Sequence, residues 1–520
     1  MSNTNAREQA LALYQAYEFE PTSLVTYRSA GKLLALGDAD ALEKCAGLPS
    51  SIDVTAVVVD GRASIRGNLG AFVVEIDAPE GQRGRYECDA VLDLCETPLL
   101  ARELLPPGYF HMPSSGWDDA LATDELGELT GEFQKPRYFD YDASICAHSA
   151  NGKIVCRQCV DACPAEAIQS IGEIIEVDPY LCQGGGSCTS VCPSGAIRYL
   201  YPGLRDNGLR LRNTLARYTQ HGGENAIVLF HAQEFDPADY LQSYDNMLPM
   251  AVEEVASVGM DLCLSALAYG AVQAVLYIDG DVPRSSLASL ERQVDWAQEL
   301  VIGLGLQRDS ITLCRHEAAP ASLDEPRSIQ AAEYDMPGAK RDAIFLALDH
   351  LVSRLRPQAE RVDFSVEAPF GEAVIDAEKC TLCMACVGSC PGRALQDGSN
   401  REVPEVFFIE GNCLQCGACV QTCPEDAIEL SARLLFDREA RNRSRELNRD
   451  KPFACIACGK PFAPGSVIRK MQEKLKDHYM FANERALDRL KMCDDCRVAD
   501  IVSDPEAMGG QFDPLKNFRQ

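Results

Sequence analysis

The sequence predicts a multidomain α+β protein in which two cysteine-rich modules of one plan lie on either side of a small α/β domain. The chain has 520 residues, which is enough for three or four domains. It contains 24 cysteines, most of them in closely spaced groups. Between the two richest groups, short apolar runs alternate with amphipathic stretches, which is typical of a parallel sheet covered by helices.

The clearest motif is the run C-x2-C-x2-C-x3-C-P, which occurs at Cys380–Pro391 and again at Cys413–Pro424. This spacing is typical of ferredoxin-like modules, in which three cysteines of a run bind one 4Fe-4S cluster and the fourth binds its neighbour. Disulfides follow no such spacing rule. The pattern predicts a dicluster module over 372–432 with two ligand sets: Cys380, Cys383, Cys386 and Cys423 for one cluster, and Cys413, Cys416, Cys419 and Cys390 for the other.

An earlier cysteine block predicts a related dicluster module over 140–201, but it departs from the pattern at two positions. Lys153 stands where the first cysteine of one run is expected, and Cys146 is the candidate substitute. His148, in the same loop, is interpreted as a solvated residue rather than a ligand. The spacing then predicts one 4Fe-4S cluster with four ligands: Cys146, Cys156, Cys159 and Cys192.

The second departure is Gly185, which replaces a cysteine in the run that begins at Cys182. The loop keeps its length, so the fold is expected to survive. We favour a cluster held by three cysteines, with the ligands Cys163, Cys182 and Cys188. Its type stays open between 3Fe-4S and 4Fe-4S with a non-cysteine ligand, and an empty site is the other alternative.

All four runs continue alike after the proline, with alanine followed by a branched apolar residue. The four pairs are Ala167-Ile168, Ala196-Ile197, Ala394-Leu395 and Ala427-Ile428. Buried at the same offset, these residues would shield a cluster from water, which is one determinant of its potential. The repeat therefore predicts that both modules follow one plan.

Near the C-terminus, two C-x2-C pairs follow a charged segment, 433–450, that is predicted to be a helical linker. Paired knuckles of this kind predict a four-thiolate metal site of the zinc-ribbon type in a domain over 451–505. Structural zinc is the first interpretation, and a single iron, a further cluster or free thiols are the alternatives. A helix is predicted at Val467–Lys476 within the insert. The four candidate ligands are Cys455, Cys458, Cys493 and Cys496.

The remaining segments carry no metal-binding spacing. We predict an N-terminal α+β module over 1–110, a linker and helix over 111–139, a doubly wound α/β domain over 222–320, and a helix and linker over 340–371. The α/β domain has no glycine-rich phosphate loop after its first strand, so nucleotide binding has no support. The isolated cysteines are predicted to be core residues: Cys45, Cys88, Cys95, Cys263 and Cys314.

Charge and hydropathy limit the possible partners. The net charge of −29 disfavours nucleic acid and anionic membranes, and it favours partners with a basic docking patch. The longest uncharged stretch, Leu262–Tyr277, is short for a membrane span. The chain start lacks the layout of a secretory signal, and cysteine usage of this kind suits a reducing compartment, so a cytoplasmic location is expected. Several clusters without a catalytic motif predict an electron carrier rather than a stand-alone enzyme, and no catalytic residue is assigned.

Three stretches carry a family resemblance: Tyr138–Ser149, Lys460-Pro-Phe, and Arg489–Val498 with its Cys493-Asp-Asp-Cys496. Together with the two dicluster blocks, they resemble the large multi-cluster ferredoxin-type proteins of proteobacteria, which are often encoded beside formate dehydrogenase. The resemblance implies electron transfer with formate dehydrogenase as a candidate partner. A maturation or scaffold factor for a molybdenum or tungsten oxidoreductase, or an electron-transfer subunit of a flavin-linked oxidoreductase complex, are the alternatives.

The middle domain carries a second resemblance. The stretch from Leu248 to Val275 is similar to an iron–sulfur subunit domain that accompanies hydrogenases and heterodisulfide reductases. That relative binds its own cluster through cysteines, whereas the first strand here, Ile227–Ala232, has none. The resemblance therefore implies a docking or structural domain without a cluster.

Overall fold

The computed structural model describes residues 2–504 except 20, 61, 78–82, 151, 316–317, 399–402 and 482. The chain forms two compact units. The first unit comprises Met1–Cys146 and Arg157–Ala359, and the second comprises Ala147–Cys156 and Glu360–Gln520. The first cysteine block thus contributes its segment Ala147–Cys156 to the second unit.

The first unit begins with the helix Asn3–Gln15, whose first turn is capped by the Ser2 hydroxyl. A parallel four-stranded sheet follows, in the order Asp53–Val58, Lys32–Gly37, Ala90–Asp93 and Tyr109–His111. An antiparallel three-stranded sheet adjoins it in sequence, formed by Ala63–Arg66, Phe72–Asp77 and Arg83–Cys88. The short helices of this part are Ala39–Leu42 and Asp119–Gly127.

The segment 111–139 contains more than the predicted linker and helix. Thr130–Pro136 is a strand that pairs antiparallel with Leu24–Ala30 along its whole length. Phe133 is the only large apolar side chain in Thr130–Pro136, so apolar alternation does not mark it as a strand.

The part of the first cysteine block that lies in the first unit is built from short elements around the cysteines. Phe139–Tyr141 pairs with Ile197–Tyr199, and Ile168–Ile171 forms a hairpin with Ile174–Val177. The helices Gln158–Asp161 and Ser187–Val191 carry cysteines, and the long helix Leu204–Gln220 follows.

The middle of the first unit is a four-stranded parallel sheet, as the alternation of apolar runs predicts. Its strand order is Met247–Val252, Ile227–Ala232, Gln273–Ile278 and Ile311–Arg315. Every residue of Gln273–Ile278 is buried, so both faces of that central strand are covered. The accompanying helices are Ala238–Ser243, Met260–Ala268, Arg284–Gly303 and Lys340–Leu355.

The second unit contains the second cysteine block between two small antiparallel sheets. One sheet has the order Arg361–Asp363, Ile428–Leu435 and Gly371–Ile375, and the other has the order Leu395–Asp397, Glu405–Phe408 and Arg445–Arg449. The segment 433–450 is therefore not a helical linker throughout. Only Arg438–Asn442 is helical, and Arg445–Arg449 is a strand because Glu405–Phe408 offers it a free edge.

The C-terminal part of the second unit begins with the hairpin Pro452–Ala454 and Pro461–Pro464. The helices that follow are Gly465–Leu475, Glu484–Arg489 and Asp494–Ser503. The first of them contains the predicted helix Val467–Lys476 except for Lys476, which lies just after its end. Among the described residues, no helix combines the length and apolar character needed to cross a membrane.

Candidate metal centres

The second cysteine block brings its eight cysteines into two groups. Cys380, Cys383, Cys386 and Cys423 line one small cavity, and Cys390, Cys413, Cys416 and Cys419 line another. Each cavity thus combines three cysteines of one run with the fourth cysteine of the other run. This is the donor set that a 4Fe-4S cluster requires, so the residues present fit the group.

The backbone of each run forms a loop around its cavity. In both runs the residues two and four positions after the first cysteine are left-handed: Leu382 and Met384, and Gln415 and Gly417. Such alternation turns successive N–H groups toward one point. The N–H groups of Leu382, Ala394 and Ala427 donate to the sulfur atoms of cysteines at 3.4, 3.2 and 3.4 Å. Hydrogen bonds to the sulfurs are a determinant of cluster potential.

Burial affects the protonation of these thiols. It raises the pKa of Cys386 and Cys419 to about 12 and that of Cys416 to about 11, and neighbouring thiols add to the effect. Since a buried thiolate is unfavourable without a cation, the sites favour neutral thiols until metal binds. Metal binding is therefore expected to release protons.

The predicted shield after each proline is present in all four runs. The second residue after each proline is left-handed, namely Glu166, Gly195, Arg393 and Asp426. This turn directs the following residues inward, and every one of them is buried: Ala167, Ile168, Ala196, Ile197, Ala394, Leu395, Ala427 and Ile428. The prediction that both modules follow one plan is confirmed in this respect.

In the first cysteine block, six candidate ligands contribute to one apolar cluster: Cys146, Cys159, Cys163, Cys182, Cys188 and Cys192. Cys163, Cys182 and Cys188 also line a common cavity with the glycine loop 184–186. Burial raises the pKa of the Cys188 thiol well above its ordinary value, and its neighbours Cys163 and Cys182 contribute. The remaining candidate, Cys156, lies in the second unit, where its thiol contributes to the raised pKa of Cys416.

His148 is not the solvated loop residue that the sequence suggested. It is buried, with 2% of its surface exposed, and its Nδ1 lies 2.8 Å from the carbonyl oxygen of Cys156. In addition, the N–H of Cys156 donates to the carbonyl of His148. These contacts orient the candidate ligand Cys156 through the backbone.

Two lysines, which sequence reasoning missed, bind the backbone of the first block. Lys135 Nζ donates to the carbonyls of Tyr180 and Cys182 at 3.0 and 2.6 Å. Lys340 Nζ donates to the carbonyls of Thr189, Ser190 and Cys192. Both therefore place positive charge beside candidate cluster ligands. No local signal marks them, since Lys340 lies far along the chain from its partners.

If a cluster is bound at Cys182, replacing Lys135 with methionine is expected to lower its midpoint potential. A nearby cation stabilises the reduced, more negative cluster by on the order of 1 kcal/mol, which corresponds to about 40 mV for one electron. Potentiometric titration followed by EPR measures this shift, and Lys135→Arg, which keeps the charge, is the control. An unchanged potential in Lys135→Met would show that the ammonium group has only a structural role.

The four C-terminal cysteines form a compact site. The sulfur atoms of Cys455, Cys458, Cys493 and Cys496 all lie within 4.8 Å of one another. Tetrahedral Zn–S bonds of about 2.3 Å place sulfurs roughly 3.8 Å apart, so a four-thiolate site fits these residues. Although burial opposes it, backbone N–H groups of Cys493, Cys458 and Ala457 lower the pKa of Cys455 to about 6. Arg489, part of the family-like motif, fixes the helix Asp494–Ser503 through Asp500 at 2.7 Å.

A buried ion-pair network supports the loop that leads to Cys413. Arg433 donates to both carboxylate oxygens of Glu410, with Nε–Oε1 and Nη2–Oε2 distances of 2.9 and 2.8 Å. Its third nitrogen reaches Glu372 at 2.6 Å. Glu410 opens the short 3-10 helix Glu410–Asn412, which directly precedes Cys413. The network thus ties the strand Ile428–Leu435 to a candidate ligand loop.

Comparison with known proteins agrees with the cysteine geometry. Residues 127–196 and residues 369–428 each match a family model described as a 4Fe-4S dicluster domain. A search of curated proteins gives no significant match. The chain therefore contains two dicluster domains of the ferredoxin type within a mixed α/β protein, which points to an iron–sulfur electron-transfer protein.

Proposed function

We propose that this protein is a multi-cluster electron carrier that passes single electrons between a redox enzyme and an acceptor. The observation that supports it best is the pair of complete four-cysteine sets in the second block. Iron–sulfur clusters bound there would exchange one electron each at potentials that the protein sets. We assign two 4Fe-4S clusters to the sets above, and on cysteine spacing alone we assign a third to Cys146, Cys156, Cys159 and Cys192. Zinc is assigned to the C-terminal four-thiolate site, where it would be structural.

The chain's own residues hold, shield and expose these groups. The alanine and branched apolar residues after each proline exclude water, and N–H groups bind the sulfurs. Cys383 is solvent-exposed, so its cavity reaches the protein surface. An electron could enter or leave there without crossing a thick protein layer.

The partner is expected to present basic residues, because the chain carries a net charge of −29. The resemblance to proteins encoded beside formate dehydrogenase makes that enzyme the first candidate, in the cytoplasm. Anaerobically purified protein should then be reduced by formate dehydrogenase and formate, at a rate that falls as salt is raised. Reduction by dithionite but not by this enzyme would exclude this partner and leave the carrier function intact.

Replacing Cys383 with serine is expected to remove or destabilise one cluster, because the set then lacks a thiolate. Iron and sulfide analysis should show a loss of about four of each per chain, and one cluster signal should disappear from the EPR spectrum. Cys45→Ser is the matched control, since Cys45 packs in the N-terminal core. Wild-type protein without iron and labile sulfide would refute the carrier function.

A further inference from the structure

The glycine loop in the first block has the backbone of a complete cluster-binding loop. Gly184 and Gly186 are left-handed, two and four positions after Cys182. These are the offsets at which the two complete runs of the second block are left-handed. Gly185 therefore stands at the position that Cys383 and Cys416 occupy in those runs. The loop therefore lacks one thiolate but has the left-handed backbone positions of the complete loops.

Neither the backbone conformation nor the space at position 185 requires a glycine. Its φ angle is not left-handed, and a Cβ atom added there would meet nothing closer than Pro164 Cγ at 3.8 Å. Its two neighbours, in contrast, are fixed by contacts. A Cβ atom on Gly186 would lie 2.6 Å from the Ser257 nitrogen, and one on Gly184 would lie 2.9 Å from the Tyr138 ring. Ser257 on one side and Tyr138 on the other restrict the loop, so it has little freedom to bring another residue to the position of Gly185.

The polar side chains that line this cavity each donate a hydrogen bond to a neighbouring group. Tyr138 donates to Glu253 at 3.4 Å, and Tyr199 donates to the carbonyl of Gly184 at 2.7 Å. Ser187 pairs with Ser286 at 2.9 Å, Thr189 donates to the carbonyl of Gly186 at 2.7 Å, and the Gln183 amide donates to Leu105 at 2.8 Å. Each of these bonds holds its side chain in place.

We propose that Cys163, Cys182 and Cys188 hold a three-iron cluster whose open corner, beside Gly185, binds Fe²⁺ reversibly with a water-derived oxygen as its outer ligand. Gly185 is only partly buried, so solvent and a metal ion can reach that corner. This inference rests on the proposed function, because it requires a cluster at these cysteines. It adds an iron-exchange site to the electron carrier.

Once the three-iron cluster is reduced, the uptake of Fe²⁺ requires no additional electron. A reduced 3Fe-4S core of charge zero and one Fe²⁺ together form a 4Fe-4S core of charge +2, and no electron is transferred. An oxidised 3Fe-4S core of charge +1 must first accept one electron. Iron binding at this corner is therefore coupled to the redox state, and oxidation with a chelator reverses it.

The test compares wild-type protein with Gly185→Cys and Gly185→Ala. After anaerobic purification and oxidation with ferricyanide, the wild type should show the near-isotropic EPR signal of an oxidised three-iron cluster. After reduction with dithionite and Fe²⁺, removal of both reagents and mild reoxidation without chelator, the signal should stay absent, whereas the same cycle without Fe²⁺ should restore it. Ferricyanide with EDTA should then restore the signal in the iron-treated protein. Gly185→Ala, which adds no donor, should behave like the wild type. Gly185→Cys should lack the signal and keep its iron in EDTA.

A second measurement does not depend on the variants. Wild-type protein treated with isotopically enriched Fe²⁺ under reducing conditions should take up one iron per chain at this site, visible by Mössbauer spectroscopy. The inference is overturned if the wild type shows the signals of the other clusters but neither the three-iron signal nor iron uptake, or if Gly185→Cys matches Gly185→Ala. Protein with no cluster signals at all would instead refute the proposed function.

Discussion

Replacement of Arg433 by methionine is expected to lower the free energy of unfolding of the second unit by about 3–5 kcal/mol. The side chains of Arg433 and Glu410 are 9% and 5% exposed, so the pair is almost fully removed from water. Without Arg433, the ion pair that Glu410 keeps among the described residues is the longer contact to Arg445 at 3.4 Å. A buried carboxylate without a full partner is costly, and this cost dominates the change.

Denaturant unfolding of the cluster-loaded protein, followed by circular dichroism, measures this loss. Arg361→Met is the matched control, because Arg361 pairs with Asp363 on the surface at 48% and 60% exposure. Pairs of that kind contribute about 0–1 kcal/mol. Equal losses in the two variants would show that the Arg433 network contributes no more than an exposed pair. Since Glu410 leads into Cys413, Arg433→Met should also lose iron faster than Arg361→Met in the presence of a chelator.

Replacement of Cys493 by serine is expected to unfold the C-terminal part of the second unit. Cys493 is 4% exposed and directly precedes the helix Asp494–Ser503. Metal binding to four thiolates contributes on the order of 10 kcal/mol or more to a small domain, and a missing thiolate removes much of it. The backbone amides of the hairpin Pro452–Pro464 and of the helix Asp494–Ser503 should then lose their protection from hydrogen exchange.

Elemental analysis accompanies this experiment. Zinc should fall from one per chain to none in Cys493→Ser, while the iron content stays unchanged. Lys474→Ala is the control, because Lys474 is largely exposed on the helix Gly465–Leu475 and its loss leaves Glu425 a second partner, Lys470, at 3.2 Å. A fall in iron instead of zinc would assign the four-thiolate site to iron, and retention of both metal and protection would exclude a structural metal there.

Much of the candidate site could be predicted because metal ligation depends on short spacings. In the runs that begin at Cys380 and Cys413, all the turns lie within a dozen residues, so neighbouring residues in the sequence set the geometry of each loop. The same holds for the apolar pairs after each proline and for the two C-terminal C-x2-C knuckles. Parallel strands such as Gln273–Ile278 were predictable for a similar reason, since burial on both faces leaves a continuous apolar run.

The parts that sequence reasoning missed depend on distant partners. His148 is polar and lies in a loop, yet the carbonyl of Cys156 makes its burial favourable. Arg445–Arg449 contains mostly polar residues, and only the free edge of Glu405–Phe408 makes it a strand. Thr130–Pro136 is a strand for the same reason.

The sequence by itself determined the class of this protein, because the spacing of cysteines states which metal groups the loops can bind. Tertiary structure alone decided that His148 is buried beside Cys156, where Lys135, Lys340 and Arg433 place their charges, and that the position of Gly185 keeps room for a side chain. The physical reason is that ligation geometry is set over a few residues, whereas burial and charge pairing arise between segments that meet only in the folded chain.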